Sequence, residues 1–324
     1  MKNRLLFPII FAFIFSACSD FSGNEDAVEA SLKPGPVTQQ QQQQQESEPT
    51  RTYYDLNGVV YGNNTFVTVG ERGTVRTSSD DGATWDNGTS GKTKQLYEIA
   101  YGDSTFVTVG QSATNLYSSD NGATWTSGTT SETSTYYGVT YGNNTFIALG
   151  TSNLLKSTDN GSNWTTITTV NLYDVAFGDS TFIGCGADGA MYTSNDNGSS
   201  WTSRTSGASA NSLYGITFGN NQFFSVGSSG KLIKSTNNGS SWSNVNSTVS
   251  KSLSSIVFGN NTFVGVGAKT VIVSTDYGST FTEKENTLTF NDVTYGNGVF
   301  VAVGDNEIIY TSTDGDTWTK VYGK

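Results

Sequence analysis

Ser118-Ser119-Asp120-Asn121-Gly122-Ala123-Thr124-Trp125 is one of seven copies of a single phrase, Ser-x-Asp-x-Gly-x-x-Trp, in this chain. Its third position recurs as Asp80, Asp120, Asp159, Asp196, Asn237, Asp276 and Asp314, at spacings of 37 to 41 residues. A period near forty, with strand-like sequence between the copies, is the mark of radially repeated four-stranded blades. A β-solenoid is the competing architecture, and its rungs are shorter than this period.

A second phrase leads each copy. In the first unit it reads Val60-Tyr61-Gly62-Asn63-Asn64-Thr65-Phe66-Val67-Thr68-Val69-Gly70, and it returns at Tyr101, Tyr141, Phe177, Phe218, Phe258 and Tyr295. Two β-rich runs joined by Gly-Asn-Asn or Gly-Asp-Ser predict a hairpin, because Gly and Asn tolerate the positive φ of a tight turn. A third run, such as Leu154-Leu155-Lys156-Ser157 or Glu307-Ile308-Ile309-Tyr310, precedes the Asp phrase, and a fourth begins at its Trp. Each unit therefore predicts four antiparallel strands a to d, with the Asp phrase in the c–d turn. The third residue of strand b is small (Thr68, Thr108, Ala148, Gly184, Ser225, Gly265, Ala302), as twisted sheets crowding an axis require. The expectation is an all-β, seven-bladed β-propeller over residues 53–324.

Within the Asp phrase, the carboxylate is placed to accept hydrogen bonds from backbone N–H groups two and three residues on, as in an Asx turn. The Gly takes a left-handed conformation, and the indole folds back over the hairpin. The departures fit a turn: Asn237 keeps the geometry without charge, Phe281 keeps a ring, and Asp314-Gly315 is one residue short. The phrase resembles the Asp-box, or bacterial neuraminidase repeat, of sialidases, xyloglucanases, sortilin-type receptors and the photosystem II assembly factor. That resemblance covers residues 53 to 324. It implies that the boxes lie at the blade periphery, away from a ligand, so the seven box residues are structural. The turn lacks the alternating acidic ligands of a Ca²⁺ loop, so no metal and no cofactor are expected.

The first 17 residues predict a secretory signal: Lys2 and Arg4, then an apolar run from Leu5 to Phe15, too short for the ~20 residues that span a bilayer. Phe15-Ser16-Ala17-Cys18 resembles a bacterial lipobox, which implies lipid on Cys18 and anchorage in a membrane. An ordinary signal peptide that happens to hold a Cys is the alternative. Ser19 after the Cys resembles outer-membrane delivery. Residues 18–52, with Pro34, Pro36, Pro49 and the run Gln39 to Gln45, lack apolar periodicity and predict a disordered linker, or a short interaction tract at the glutamines. As a coil the linker would hold the domain roughly 30 Å from the lipid.

The chain has 17 Lys+Arg, 28 Asp+Glu and no His, a net charge of −11, and loss of Lys2 and Arg4 with the signal brings it to −13. That acidity argues against nucleic acid as a partner. It also does not reproduce the basic patch of the assembly factor. Without His, imidazole chemistry is excluded. Beyond Cys18 the one cysteine is Cys185, where sister units place Val69, Val109 or Val226, so it stands in for Val or is a reactive thiol. A monomer is expected.

For activity, the resemblance to sialidases implies an arginine triad, but the domain offers only Arg72, Arg76 and Arg204 beyond Arg51. A xyloglucanase would need two propellers. Where strand a begins, the units align Gly58, Glu98, Gly138, Asp174, Gly215, Ser255 and Asp292. Glu98, Asp174 and Asp292 are the candidate catalytic carboxylates of a glycosidase, which needs two about 5 to 9.5 Å apart. Equally, they line a solvated channel or cap a turn. One residue earlier stand Asn57, Tyr97, Tyr137, Tyr173, Tyr214, Ser254 and Asn291. Four successive tyrosines suit stacking on a sugar or gripping a peptide, or else packing between blades. Loops after strand b add Glu71, Arg72, Gln111, Asp188, Lys231, Lys269 and Asp305 on the same face, where repeats diverge. The leading expectation is a non-enzymatic envelope lipoprotein binding a protein or glycan through Tyr97, Tyr137, Tyr173, Tyr214, Glu71, Arg72 and Lys231. A carbohydrate-active enzyme is the alternative. Ring closure is by packing alone, or by Arg51 to Tyr54 joining the last sheet as an extra strand.

Overall fold

The computed structural model describes residues 52–245 and 247–324. The expected signal, the lipid site at Cys18 and the linker up to Arg51 lie outside the described residues. Strand β1 (Leu56–Gly62) pairs antiparallel with β2 (Thr65–Gly70) across Asn63 and Asn64, both left-handed at φ 46° and 56°. Two consecutive positive φ values match the right-handed twist of the flanking strands, which is why the Gly-Asn-Asn phrase closes a two-residue turn. The same hairpin is built six more times, at Leu96–Gly110, Tyr136–Gly150, Leu172–Gly186, Leu213–Gly227, Leu253–Gly267 and Phe290–Gly304.

Each hairpin slips register once, at the start of strand a. Leu96 faces Gly110 and Glu98 faces Val109, so Tyr97 is an extra residue. This β-bulge re-aims the side chains beside it, and it falls at the two positions where the repeats carry Tyr and carboxylate.

Strands c and d complete five separate four-stranded sheets, but the last two units share one six-stranded sheet. Each of those two units keeps the expected four antiparallel strands, and they are joined because the chain passes from one to the other without a break in the strand. In five units a single 3-10 turn such as Glu71–Gly73 separates b from c, with Arg72 at φ 54°, whereas the third unit links them through Thr151 to Asn153 without one. The sixth unit has one residue fewer (Gly267-Ala268-Lys269-Thr270) and turns there with Lys269 at φ 56°, bringing strand c back beside strand b so that a Cβ on Gly265 would lie 2.7 Å from the Ile272 side chain. Its d strand continues into the seventh a strand as Thr282–Gly296. Glu307, expected in a c strand, lies in the 3-10 turn before it.

The Asp turns are built as the sequence suggests, with one difference. Asp80 Oδ1 accepts from Ser78 Oγ (2.8 Å) and from the Thr84 N–H (2.9 Å), and Trp85 Nε1 donates to the Gly82 carbonyl (3.0 Å). The bonded amide here is four residues on, because Asp81 and Gly82 are both left-handed and curl the chain back, while Asp196 and Asp276 also accept from the expected amide three residues on, Ser199 and Ser279, at 3.1 Å. In the shortened seventh copy, Asp314 bonds the amides of Asp316 and Thr317, two and three residues on, both at 2.8 Å.

Neighbouring units interlock at glycines that end strand a. A Cβ on Gly62 would lie 2.1 Å from the Tyr101 ring, and Gly102, Gly142, Gly178, Gly219 and Gly259 meet the next unit's aromatic in the same way. Gly296 then meets Tyr61, so the seventh hairpin packs on the first. Leu56, Val59 and Trp85 share a core there with Val301, Val303 and Ile309. Tyr53 and Tyr54 belong to no strand, so among the described residues closure rests on packing and side-chain bonds rather than an added strand.

Candidate functional site

The bulges at the start of strand a all open on one cavity of about 450 Å³. Its wall brings together all four sequence-singled tyrosines and all three candidate carboxylates. The tyrosines run as an arc across four successive units. Ring centroids of Tyr97 and Tyr137 lie 4.9 Å apart, those of Tyr137 and Tyr173 6.3 Å at 84°, and those of Tyr173 and Tyr214 5.9 Å. These are tilted and edge-on contacts, which the ring quadrupole favours. Tyr214, at 39% exposure, is one of the few large hydrophobics left to solvent.

The remaining three positions of that register are polar and make a different seam. Asn57 Nδ2 donates to the Leu96 carbonyl (2.7 Å), Ser254 Oγ to that of Phe290 (2.8 Å) and Asn291 Nδ2 to that of Leu56 (2.9 Å). Each links its unit to the next. The register therefore does both things expected of it: it packs units together, and it presents an aromatic arc to a cavity.

One residue deeper, the carboxylates meet amides that the bulge turns inward. Asp292 accepts from Ser255 Oγ (2.6 Å) and, in the first unit, from the Val59 N–H (2.8 Å). Asp174 accepts from its own Val175 amide (2.7 Å) and from Ile216 of the next unit (2.8 Å). Glu98 Oε1 accepts from Ile99 N–H (2.8 Å), the sole protein donor reaching it among the described residues. Burial pushes Asp174 up to about 7 and Asp292 to about 6, with hydrogen bonds pulling the other way. Glu98 is raised well above the usual carboxylate range, by burial and then by the charges of Asp292 and Asp174. Gly58 is required by this packing: a Cβ there would fall 2.9 Å from Glu98 Cα.

Glu71 and Arg72 flank the rim without lining the cavity. The Glu71 carboxylate accepts from the Asp55 N–H (3.5 Å) and its charge bears on Tyr97, while the Arg72 guanidinium lies 5.6 Å over the Tyr54 ring. Lys231 turns away from it and donates to Asn244 Oδ1 at 2.6 Å. Cys185 is fully buried, with its thiol pushed up by burial, as a Val substitute should be. Two lining residues were not anticipated, Thr151 and Asn171. Thr151 lies in the third unit's b–c link, which is one residue short in sequence.

No family model matches the sequence, and no curated protein does. Solved structures do match in fold. One, named YCF48 from Cyanidioschyzon merolae, is 16% identical with a TM-score of 0.66, over 81% of this chain and 97% of that one. A second, named YCF48 bound to D1 peptide, is 15% identical with a TM-score of 0.65, over 80% of this chain and 92% of that one. The WD40 propeller domain of Doa1 is 13% identical with a TM-score of 0.66, over 81% and 93%. At such identities the likeness lies in the backbone alone, and it shows that this chain folds as a β-propeller.

Proposed function

We propose that this chain is a lipid-anchored envelope protein whose seven-bladed Asp-box propeller binds a protein or glycan partner through its strand-a face. The observation that carries the binding reading is the arc Tyr97-Tyr137-Tyr173-Tyr214 around an open cavity. Flat, amphipathic rings with few torsions are the side chains from which binding hot spots are built. The likeness to a propeller solved with a peptide supports it. Seven bladed hairpins, each seated on the next, support the blade count. The signal-like start and lipobox resemblance support export and anchorage through Cys18, at the outer membrane or cell surface. Peptide and glycan arrays probed with the full chain test the binding. Ligands found this way are expected to lose at least tenfold in affinity to Tyr137→Ala and Tyr173→Ala, and unchanged affinity removes the arc from the reading.

The carbohydrate-active alternative draws on the three carboxylates around one cavity. Both oxygens of Asp174 and of Asp292 already accept bonds from the wall, which leaves Glu98 best placed to move a proton. Hydrolysis of aryl glycosides abolished by Glu98→Gln would favour it over the binding reading.

A further inference from the structure

The cavity is acidic, and its wall holds no cation. Three carboxylates line it, and no Lys or Arg is among its lining residues. Glu98 and Asp292 close on the same two residues of the first unit. Glu98 Oε1 lies 3.0 Å from where a Cβ on Gly58 would stand, and Asp292 Oδ2 takes the next amide, Val59, at 2.8 Å. Their mutual repulsion, with that of Asp174, adds to burial in raising Glu98. Asn57, Ser254 and Asn291 donate to neighbouring carbonyls, so the charged groups the wall offers a guest are acceptors, set beside ring faces. An anionic guest meets repulsion here, and a neutral one gains nothing from the charge. A cation is attracted twice, by the carboxylates and by the π faces of the arc.

We infer that the cavity receives a cationic side chain, an ammonium or a guanidinium, carried on a peptide. Its charge sits against Glu98 and Asp292, and its apolar stem crosses Tyr97, Tyr137 and Tyr173. This deepens the binding reading above and rests on it. An elongated alkyl stem ending in a charge matches a site whose rim is aromatic and whose floor is acidic, because such side chains bury their methylenes and keep the head solvated or paired.

Calorimetry on the full chain at pH 7.5 tests this with tetralysine amide as the probe. Fully acetylated tetralysine, tetraglutamate and the free diamine cadaverine serve as comparators. Tetralysine is expected to bind, with at least a tenfold loss on acetylation, on Glu98→Gln and on Tyr137→Ala. The exposed Asp86, in the d strand Asp86–Thr89, provides the charge control, and Asp86→Asn is expected to leave binding intact. Equal binding of the acetylated peptide, no binding of tetralysine, or an equal loss with Asp86→Asn overturns the inference. Cadaverine binding as tightly as tetralysine overturns the peptide as its carrier. Should Glu98→Gln fail to fold, the acetylated peptide decides on unaltered protein. Array ligands that need Tyr137 yet hold no basic residue would sink the cation and leave the binding face standing.

Discussion

Asp174 and Asp292 are acceptors for amides of the neighbouring unit, and the charge needed for that role is costly where they sit. A carboxyl raised in the folded state holds its proton more tightly folded than unfolded. The stability it confers is therefore present below an unfolded value of 3.8 and lost as pH rises through about 7 for Asp174 and about 6 for Asp292. The carboxylates of the Asp turns behave oppositely. Hydroxyl and amide donors hold Asp80, Asp196 and Asp276 down at about 2, so their contribution is present above the unfolded value and lost only in strong acid. Between pH 4 and 8 Asp174 and Asp292, together with the raised Glu98, should therefore move stability while the carboxylates of the Asp turns do not. Asp174→Asn keeps an acceptor and removes the titration. Its urea midpoint is expected to fall less than that of the parent protein across this range, and superimposable profiles would refute the assignment.

At the scale of one element, the Ser-x-Asp-x-Gly phrase ties a unit to its neighbour as well as closing a turn. The residue after its Asp reaches the a–b turn of the preceding unit. Asn160 bonds Asp103 (2.9 Å), Asn197 bonds Thr145 (2.7 Å), and Asn238 bonds Asp179 (2.6 Å). The seventh copy deletes this very residue, and there Lys284 pairs with Asp316 at 2.8 Å instead. Inside the phrase the buried Ser is the hub: Ser157 Oγ donates to Asp159 (2.8 Å) and accepts the buried Gly161 amide (3.0 Å). Ser157→Ala leaves that amide without an acceptor and is expected to cost about 1–3 kcal/mol in chemical denaturation. A neutral result would mean water replaces the hydroxyl. The turn and the hairpin were legible in sequence because both are local: Asn-Asn and Asp-x-Gly fix their own φ values. The bulge at Tyr97 was not, since Leu96-Tyr97-Glu98 reads as unbroken strand and only the partner's register shows the extra residue. The tyrosine arc was visible by aligning units, whereas the staples join residues 52 to 59 positions apart, about one and a half repeats, which no local pattern announces.

For the molecule as a whole, the closing seam differs from the other six in carrying a buried ion pair. Arg76, where the second unit has Leu116, bonds Glu307 at 3.0 Å, with side chains 10% and 1% exposed. Glu307 replaces the glycine found at Gly73 or Gly189 and keeps its left-handed backbone at φ 57°. Around the pair, the Tyr54 amide reaches Glu307 (3.3 Å), the Asn306 amide reaches Asp55 (2.8 Å), and the guanidinium lies 5.8 Å from the Tyr322 ring. Arg76 Nε is buried without a partner, so the desolvation of the pair is incompletely offset. Such a seam specifies which unit meets which while contributing little net stability. Removing one partner strands the other charge, so Arg76→Ala or Glu307→Ala is expected to cost about 3–5 kcal/mol. The double change Arg76→Leu with Glu307→Gly restores the residues sister units use and relieves the strained φ. Its urea midpoint is expected to return to within a fraction of the single-variant loss, and exceeds the parent's only if packing replaces the pair fully. Strict additivity of the two single losses in Arg76→Ala with Glu307→Ala would show that the two charges do not act as a pair and that closure rests on the apolar seam of Leu56, Trp85 and Val301.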